Sequence, residues 1–557
     1  MLRPLLTSVR CIAGSGSFRG LATAMRPPPA DVDAVVVGAG CAGLYALRRL
    51  RSLGMKVRVL EAGSGVGGVW FWNRYPGARC DIESLEYSYQ FDDRLAQEWQ
   101  WSQRFAAQPE ILRYLEHVAD RFDLHRDIQL NTRVTAASFE EPGLWRVQTE
   151  GGTEIRARYC IMASGCLSST NLPGFEGMDL FKGATYHTGT WPHDGADLTG
   201  KRVAVIGTGS SGVQVITSIA DEAKELFVFQ RTANFVVPAR NGMLDADKAA
   251  AVKADYRAFR EEAKQTPNGH HPGPYGFGTT AAMQVSSAEQ RQEYTRRWEH
   301  GGLSFLTAFT DLAVDPEANA TASQFIRARI REAVKEEATA DLLCPRYPIG
   351  GKRLCVSDGY YKAFNNPRVH LVDASAGIEA ITPDGVRAGG EEYKVDCIVF
   401  ATGYDAFTGP LLRIDVRGKG GIPLRQKWAD GPTSYLGLSI AGFPNMFMIT
   451  GPGSPSVLTN MIPSIEHHVD WVADCLAHMQ TRGKSVIETE LSAEQGWSEH
   501  VEAVATKSLR SSVGSWWNGA NIAGKPQRTM PYMGGFHVYL QKCREVVDQG
   551  YRGFNMT

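Results

Sequence analysis

Asp31-Val32-Asp33-Ala34-Val35-Val36-Val37-Gly38-Ala39-Gly40-Cys41-Ala42-Gly43 decides how this chain begins its fold. Val32 and the run Ala34 to Val37 are almost continuously apolar, as expected for a strand covered on both faces of a parallel sheet. The glycines follow at once. Gly38 suits the tight turn, Gly40 lets a pyrophosphate approach the backbone, and Gly43 lets helix and strand pack closely. Cys41 to Leu50 then predicts a helix with Leu44, Leu47 and Leu50 on one face, its N-terminus turned to the anion. A second strand, Val57 to Leu60, ends at Glu61, where a carboxylate can accept from a ribose 2′-hydroxyl. A lone glycine motif is weak, but the ordered set of strand, turn, helix and acid is specific.

The same unit returns 169 positions later, counting from Gly38 to Gly207. Arg202 to Ile206 reads as a strand, Gly207-Thr208-Gly209-Ser210-Ser211-Gly212 as the turn, Val213 to Ala220 as helix and Leu226 to Phe229 as the next strand. Where the first unit has its acid, this one has Gln230-Arg231-Thr232, and a guanidinium there can neutralise a 2′-phosphate. The first unit therefore reads as a site for FAD and the second as a site for NADPH. Ala157 to Ala163 with Ser164-Gly165, and later Val395 to Ala401 with Thr402-Gly403, are apolar strands ending on a small residue and a glycine. Their placement after the first and second units suggests that the second domain is inserted in the first.

The expected fold class is thus α/β: two Rossmann-like dinucleotide-binding domains, the NADP domain inserted in the FAD domain, plus a helical insertion. The boundaries read as a leader 1–30, an FAD-binding domain 31–165 and 395–557, an NADP-binding domain 166–239 and 336–394, and a helical insertion 240–335. The insertion is rich in Ala, Glu, Lys and Arg, interrupted by a glycine- and proline-containing break from Asn268 to Gly278. The leader carries Arg3, Arg10, Arg19 and Arg26 and no acid, so it reads as a mitochondrial transit segment, a disordered leader, or the residue of an over-long start before Met25. The location follows as cytoplasmic, or mitochondrial if the leader acts as an address.

Composition excludes other classes. Lys and Arg number 59 against 60 Asp and Glu, a balance that gives no field for nucleic acid. Ten cysteines without a CxxC pair offer neither a zinc spacing nor a disulfide framework, and no metal site is expected. No run reaches the roughly 18 apolar residues of a spanning helix.

Between the two glycine motifs stands Phe181-Lys182-Gly183-Ala184-Thr185-Tyr186-His187-Thr188-Gly189-Thr190-Trp191-Pro192. This stretch resembles the fingerprint of type I Baeyer–Villiger monooxygenases. Gly65-Val66-Gly67-Gly68-Val69-Trp70, Arg74 to Asp81, Gly350-Gly351-Lys352-Arg353, Ala401 to Asp405 and Ser515-Trp516-Trp517 look like family segments too, so the resemblance spans nearly everything after residue 31. Gln230 to Asn241 and Gly451 to Met461 look closest to the branch acting on steroids and other large cyclic ketones. Trp517 stands where relatives often carry Tyr and Ala523 where many carry Pro, departures that bear on the loop rather than on the chemistry.

The resemblance implies that NADPH reduces FAD, that O2 adds at flavin C4a, and that the resulting peroxide attacks a ketone to give an ester or lactone. It makes Arg353 the stabiliser of negative charge and Asp81 the carboxylate that positions it. Lys352 joins Arg231 at the NADPH 2′-phosphate, Trp516 helps retain NADP, Gly68 and Trp70 join the cofactor-binding set, and Phe181, Gly183, His187, Trp191 and Pro192 form the linker that orients the domains. Read without the resemblance, Arg353 belongs to a basic turn, Asp81 to a helix cap, His187 to a structural hydrogen bond, and Trp516 with Trp517 to a packing pair. The substrates expected are a bulky cyclic or polycyclic ketone and O2. Two alternatives stand beside this: a flavin N- or S-oxygenating enzyme, and a non-enzymatic NADPH-binding sensor. Oligomeric state is not readable from the chain.

Overall fold

The structure, a computed structural model, describes residues 30–557, so the leader lies outside the described residues except for its last position. Strand β1 (Val32–Val37), helix α1 (Cys41–Ser52) and β2 (Val57–Leu60) are followed by β3 (Ile128–Gln129), β4 (Val134–Glu140), β5 (Leu144–Thr149) and β6 (Glu154–Met162). In the sheet they build, β1 lies between β6 and β2, parallel to both, so that Val36 faces Val59 on one side and Ile161 on the other. The continuous apolar run of β1 has a direct cause. Ala34 and Val36 point into a core with Leu44 and Leu47 of α1, whereas Val35 and Val37 point into a second core with Trp145 and Met446 on the opposite face.

The second sheet is built from β7 (Ala184–His187), β8 (Arg202–Ile206), β9 (Glu225–Gln230), β10 (Val369–Asp373) and β11 (Cys397–Phe400), in the order β10-β9-β8-β11-β7, all parallel. Helix α2 (Ser210–Ile219) follows β8. The same two-sided burial recurs: Val203 and Val205 face the α2 side, and Ala204 and Ile206 face a three-stranded antiparallel sheet spanning 380–394. The strands that precede Gly38 and Gly207 therefore belong to different sheets. One boundary needs correction. The chain was expected to leave the second domain near 395, yet β11 pairs with both β8 and β7, so the return crossing begins only after Phe400. The glycine of Thr402-Gly403 marks the exit; the apolar strand before it is a central strand of the second sheet, not the start of the next segment.

The chain then rejoins the first sheet through Asp415–Arg417 beside β4 and Met446–Met448 beside β6. Helix α3 (Met461–Thr481) shares a core with α1, and Arg49 on α1 pairs with Asp470 and Asp474 on α3. Within 240–335 the residues form helices Ala246–Ala254, Tyr256–Lys264, Ser287–His300 and Pro316–Ala333. Asp245, Asp255, Ser286 and Asp315 cap the four of them, and Tyr294 packs against Phe305, Phe309 and Phe325. Among the described residues no helix is long and apolar enough to cross a membrane, no group of His, Cys, Asp or Glu could hold a metal ion, and all nine cysteines are buried and unpaired.

Candidate active site

Each nucleotide motif can be tested as a cradle by asking what a side chain on its glycines would meet. At Gly43 a Cβ would sit 1.8 Å from the Gly38 carbonyl oxygen, and at Gly38, where φ is +103°, it would lie 2.7 Å from that of Ala163. Only glycine permits both, so β1, α1 and β6 close to this spacing. Helix α1 begins at Gly40 without a side-chain cap, leaving its first N–H groups for an anion. Gly68 folds over this turn from the next loop, 2.8 Å from Gly40 Cα by the same measure, and Trp70 follows it, buried, donating from Nε1 to the Tyr87 hydroxyl at 3.1 Å. Glu61 is where a ribose acceptor should be. It has a further task that spacing did not disclose: its two carboxylate oxygens accept the backbone N–H groups of Ala39 and Gly63, each at 2.7 Å, which ties the turn to the second strand. Each oxygen keeps a second lone pair for a hydroxyl.

The second cradle repeats the first. A Cβ on Gly212 would lie 2.1 Å from the Gly207 oxygen and one on Gly207 (φ +107°) 2.5 Å from that of Ala401, while α2 starts at Gly209 uncapped, with Ser210 and Ser211 in its first turn. Thr208 Oγ donates to the Thr232 carbonyl at 3.0 Å, holding the 231–232 corner against the turn. Arg231 is exposed on that corner. Lys352 approaches it: burial lowers the pKa of the ammonium, and the like charge of Arg231 lowers it further. Neither cation has an ion-pair partner among the described residues, and two convergent cations beside a dinucleotide turn fit a phosphate.

Between the cradles three distant segments meet at Arg353. Its Nε donates to Asp81 Oδ2 at 3.0 Å and Nη2 to Asp81 Oδ1 and Oδ2 at 2.7 and 2.6 Å, a forked ion pair across 272 positions of sequence. Nη1 donates to the Val457 carbonyl at 2.6 Å. About a quarter of each side chain is exposed, so the pair sits at a cavity edge rather than in the core. Burial works against the charge on Arg353, but the charge and hydrogen bonds of Asp81 outweigh it and hold its pKa above the ordinary value. A guanidinium has five N–H groups, and the second N–H on Nη1 has no acceptor among the described residues. Arg510 comes near as a second half-buried arginine that sequence reading had not singled out; it donates to the Gly350 carbonyl at 3.1 Å, and its pKa is lowered by desolvation and then by Arg353.

The linker residues are structural in their contacts. His187 ends β7, which pairs with β11; its Nδ1 accepts the Gly189 N–H at 2.9 Å, and burial lowers its pKa. Trp191 is buried against Tyr186 and leads into Pro192, Phe181 packs beneath the second sheet, and a Cβ on Gly183 would lie 2.4 Å from the Asp396 carbonyl. Trp516 stacks on Trp517, with ring centres 4.1 Å apart, and Trp517 Nε1 donates to the Gly351 carbonyl, one residue from Lys352. Lys525 and Asp405 form an ion pair at 2.5 Å, and Asn521 donates to the Tyr404 carbonyl, so this loop is fastened to the segment that follows β11.

Comparison with known proteins identifies the family. Residues 35–262 match the family model of the pyridine nucleotide-disulphide oxidoreductases. A phenazine N-monooxygenase from Lysobacter antibioticus is 42% identical over 94% of this chain and 96% of its own, and a Baeyer–Villiger monooxygenase from Pseudooceanicola batsensis 41% over 94% and 96%. Among solved structures, an oxidized steroid monooxygenase bound to NADP is 50% identical with a TM-score of 0.88, covering 94% of this chain and 99% of that one. These relatives, bacterial for the most part, lend no support to a mitochondrial address. With relatives this similar matched along almost their whole length, the chain belongs to the Baeyer–Villiger monooxygenase family and is a flavin monooxygenase.

Proposed function

We propose that this enzyme binds FAD in the cradle around Gly38 and NADPH in the cradle around Gly207, and converts bulky cyclic or polycyclic ketones, steroids among them, to esters or lactones with O2 in the cytoplasm. The observation that carries this reading is the forked Arg353–Asp81 pair, held between the two dinucleotide cradles with one guanidinium N–H to spare. On this reading the flavin domain comprises 31–165 and 401–557, the NADP domain 166–239 and 336–400, and 240–335 is a helical insertion; the membership of the two sheets supports it. Bound FAD supplies the redox chemistry, taking a hydride from NADPH and activating O2 for insertion beside the carbonyl.

The residues of the chain do the rest. The N–H groups at the start of α1 and α2 hold the pyrophosphates, Glu61 accepts from a ribose hydroxyl, and Arg231 with Lys352 neutralises a 2′-phosphate. Asp81 fixes the plane of the Arg353 guanidinium, and Arg353 stabilises the negative charge that grows on the carbonyl oxygen as the insertion proceeds. A guanidinium already oriented needs little reorganisation at that step. Trp516 helps retain NADP, and His187 holds the linker. The preference for large substrates is supported by the 50% identity to a steroid monooxygenase, although cyclohexanone monooxygenases match the same span at 38–42%.

N-oxygenation is the second reading, favoured by the phenazine N-monooxygenase at 42% identity. One panel separates them: cyclohexanone, cyclododecanone, a ring-ketone steroid and phenazine, each at saturating NADPH, with products identified by mass. Ester from the large ketones is the expected result. Product from phenazine alone would overturn ketone oxidation, and efficient turnover of cyclohexanone alone would overturn the preference for bulk.

A further inference from the structure

Beside Asp81 lies a small open cleft, with about 20 Å³ accessible to water, that the chemistry above leaves without a use. Asp81, Glu83, Glu86, Arg104, His270 and His300 line it, and its inner part has room for a water molecule. His270 comes from the glycine- and proline-containing break in the helical insertion and is buried. Thr266 Oγ1 accepts the His270 N–H at 3.2 Å, and its one hydrogen lies between the carbonyls of Ala263 at 2.8 Å and His270 at 3.0 Å. Nδ1 of the ring lies 2.9 Å from the His271 carbonyl, and a carbonyl can only accept, so Nδ1 carries the hydrogen and Nε2 keeps its lone pair. Nε2 has no protein partner among the described residues.

Stoichiometry makes such a group useful. Resting on the monooxygenase reading, each turnover takes NADPH, one proton, O2 and the substrate to NADP+, water and the oxygenated product. The hydride brings no proton with it, so one proton must reach the chamber from solvent. We propose that the cleft beside Asp81 is the path of that proton and that His270 relays it. Nε2 forms its N–H bond as the O–H bond of a hydronium in the cleft breaks, then gives the proton to water on the chamber side, which carries it past Asp81; that carboxylate stays ionised, both oxygens held by Arg353. No electrons move in the relay.

The groups facing His270 suit this traffic. Burial lowers its pKa and the Arg353 charge lowers it further, against the hydrogen bond to the His271 carbonyl and the charges of Asp81 and Glu83, so the ring is neutral between transfers. Burial pushes the Glu86 carboxyl up to about 8, although it accepts the His271 N–H. Glu83 is engaged with Arg104 and Lys248, His300 Nε2 with Arg104, and His271 Nε2 with the Phe259 carbonyl. His270 is thus left as the one ring on this wall with an unengaged Nε2.

The test uses the FAD-loaded enzyme, wild type against His270→Gln and His270→Ala, each checked for flavin content. Two rates are read between pH 6 and 9: anaerobic flavin reduction by NADPH, and aerobic turnover with product per NADPH, in H2O and D2O. Flavin reduction should stay within about twofold of wild type in both variants, because hydride transfer takes no solvent proton. Turnover should fall about tenfold or more, the lower part of the range for lost acid–base assistance, with a larger solvent isotope effect. Added imidazole should restore part of the His270→Ala rate, whereas pyrazole, of the same shape but a far weaker base, should not. Wild-type turnover in His270→Gln, equal rescue by both heterocycles, or flavin reduction slowed as much as turnover would overturn the relay. Whether the wild type makes ester or N-oxide is scored separately, since either product requires the same proton.

Discussion

Arg353 shows why a residue's neighbours in sequence and in space carry different information. Sequence sets it beside Lys352, where a basic turn is the plain expectation; the fold sets it against Asp81 and the Val457 carbonyl instead. If its function is to stabilise charge at the reacting oxygen, Arg353→Ala should keep FAD and the fold but lose ester formation by about a hundredfold or more. Asp81→Ala should lose less, since the guanidinium remains but is no longer oriented. Ester formed per NADPH oxidised is the measurement that decides, because NADPH consumption alone also counts aborted turnovers. Arg231 makes a different kind of prediction. Its replacement by Ala should lower the NADPH-over-NADH ratio in kcat/KM by roughly ten- to a hundredfold, the scale of a charge-assisted phosphate contact, while leaving the NADH value nearly unchanged. The placement of the glycines, Glu61 and Arg231 was legible because it is local: each sits at a fixed offset from a strand end. His270, Arg510 and the second task of Glu61 were not, because each depends on a partner placed by tertiary packing and no spacing rule reaches that far.

Elements were legible in proportion to their burial on two sides. β1 and β8 announce themselves as apolar runs because each feeds two cores, and the helical segments of 240–335 follow from composition and caps. The misplaced boundary at 395 has the same origin: β11 ends like β6, on a small residue and a glycine, and its sequence cannot say which sheet it joins. Helix α3 yields a prediction that no motif contains. His468 Nδ1 accepts the Thr450 N–H at 3.0 Å, so a proton on that nitrogen would set two N–H groups against each other. Burial drives its pKa well below the usual histidine value, and burial likewise takes the neighbouring His467 down to about 4. With folded pKa values depressed below about 6.5, the stability these neutral rings contribute is full above that pH and is lost as the pH falls through the folded values. Thermal unfolding measured from pH 8 to pH 4 should therefore show Tm falling below about pH 6.5. His467 Nε2 is buried without a partner, so His467→Leu should cost nothing at pH 8 and should flatten the acid limb.

At the scale of the whole molecule, one chain makes a first sheet, leaves it after Met162 to build a second, and returns after Phe400 to finish the first. That circuit puts residues 81, 353 and 457 within reach of one another, and the insertion adds His270 beside them. Order of motifs suggested the circuit; the meeting point required the fold. The same packing leaves all nine described cysteines enclosed, and burial raises the thiol pKa of Cys41 and Cys160 to about 12 and of Cys166 and Cys355 to about 11. An enzyme that activates O2 releases some hydrogen peroxide whenever a cycle aborts, and peroxide attacks thiolates rather than thiols. Ageing should then begin at thioethers in contact with solvent, foremost among the described residues Met243, which is 79% exposed. Peptide mass analysis of enzyme left to cycle without substrate should find Met243 sulfoxide while every enclosed cysteine is still reduced. Surface thioethers rather than enclosed thiols should thus record the aborted cycles, and a Met243→Leu enzyme should lose that sulfoxide.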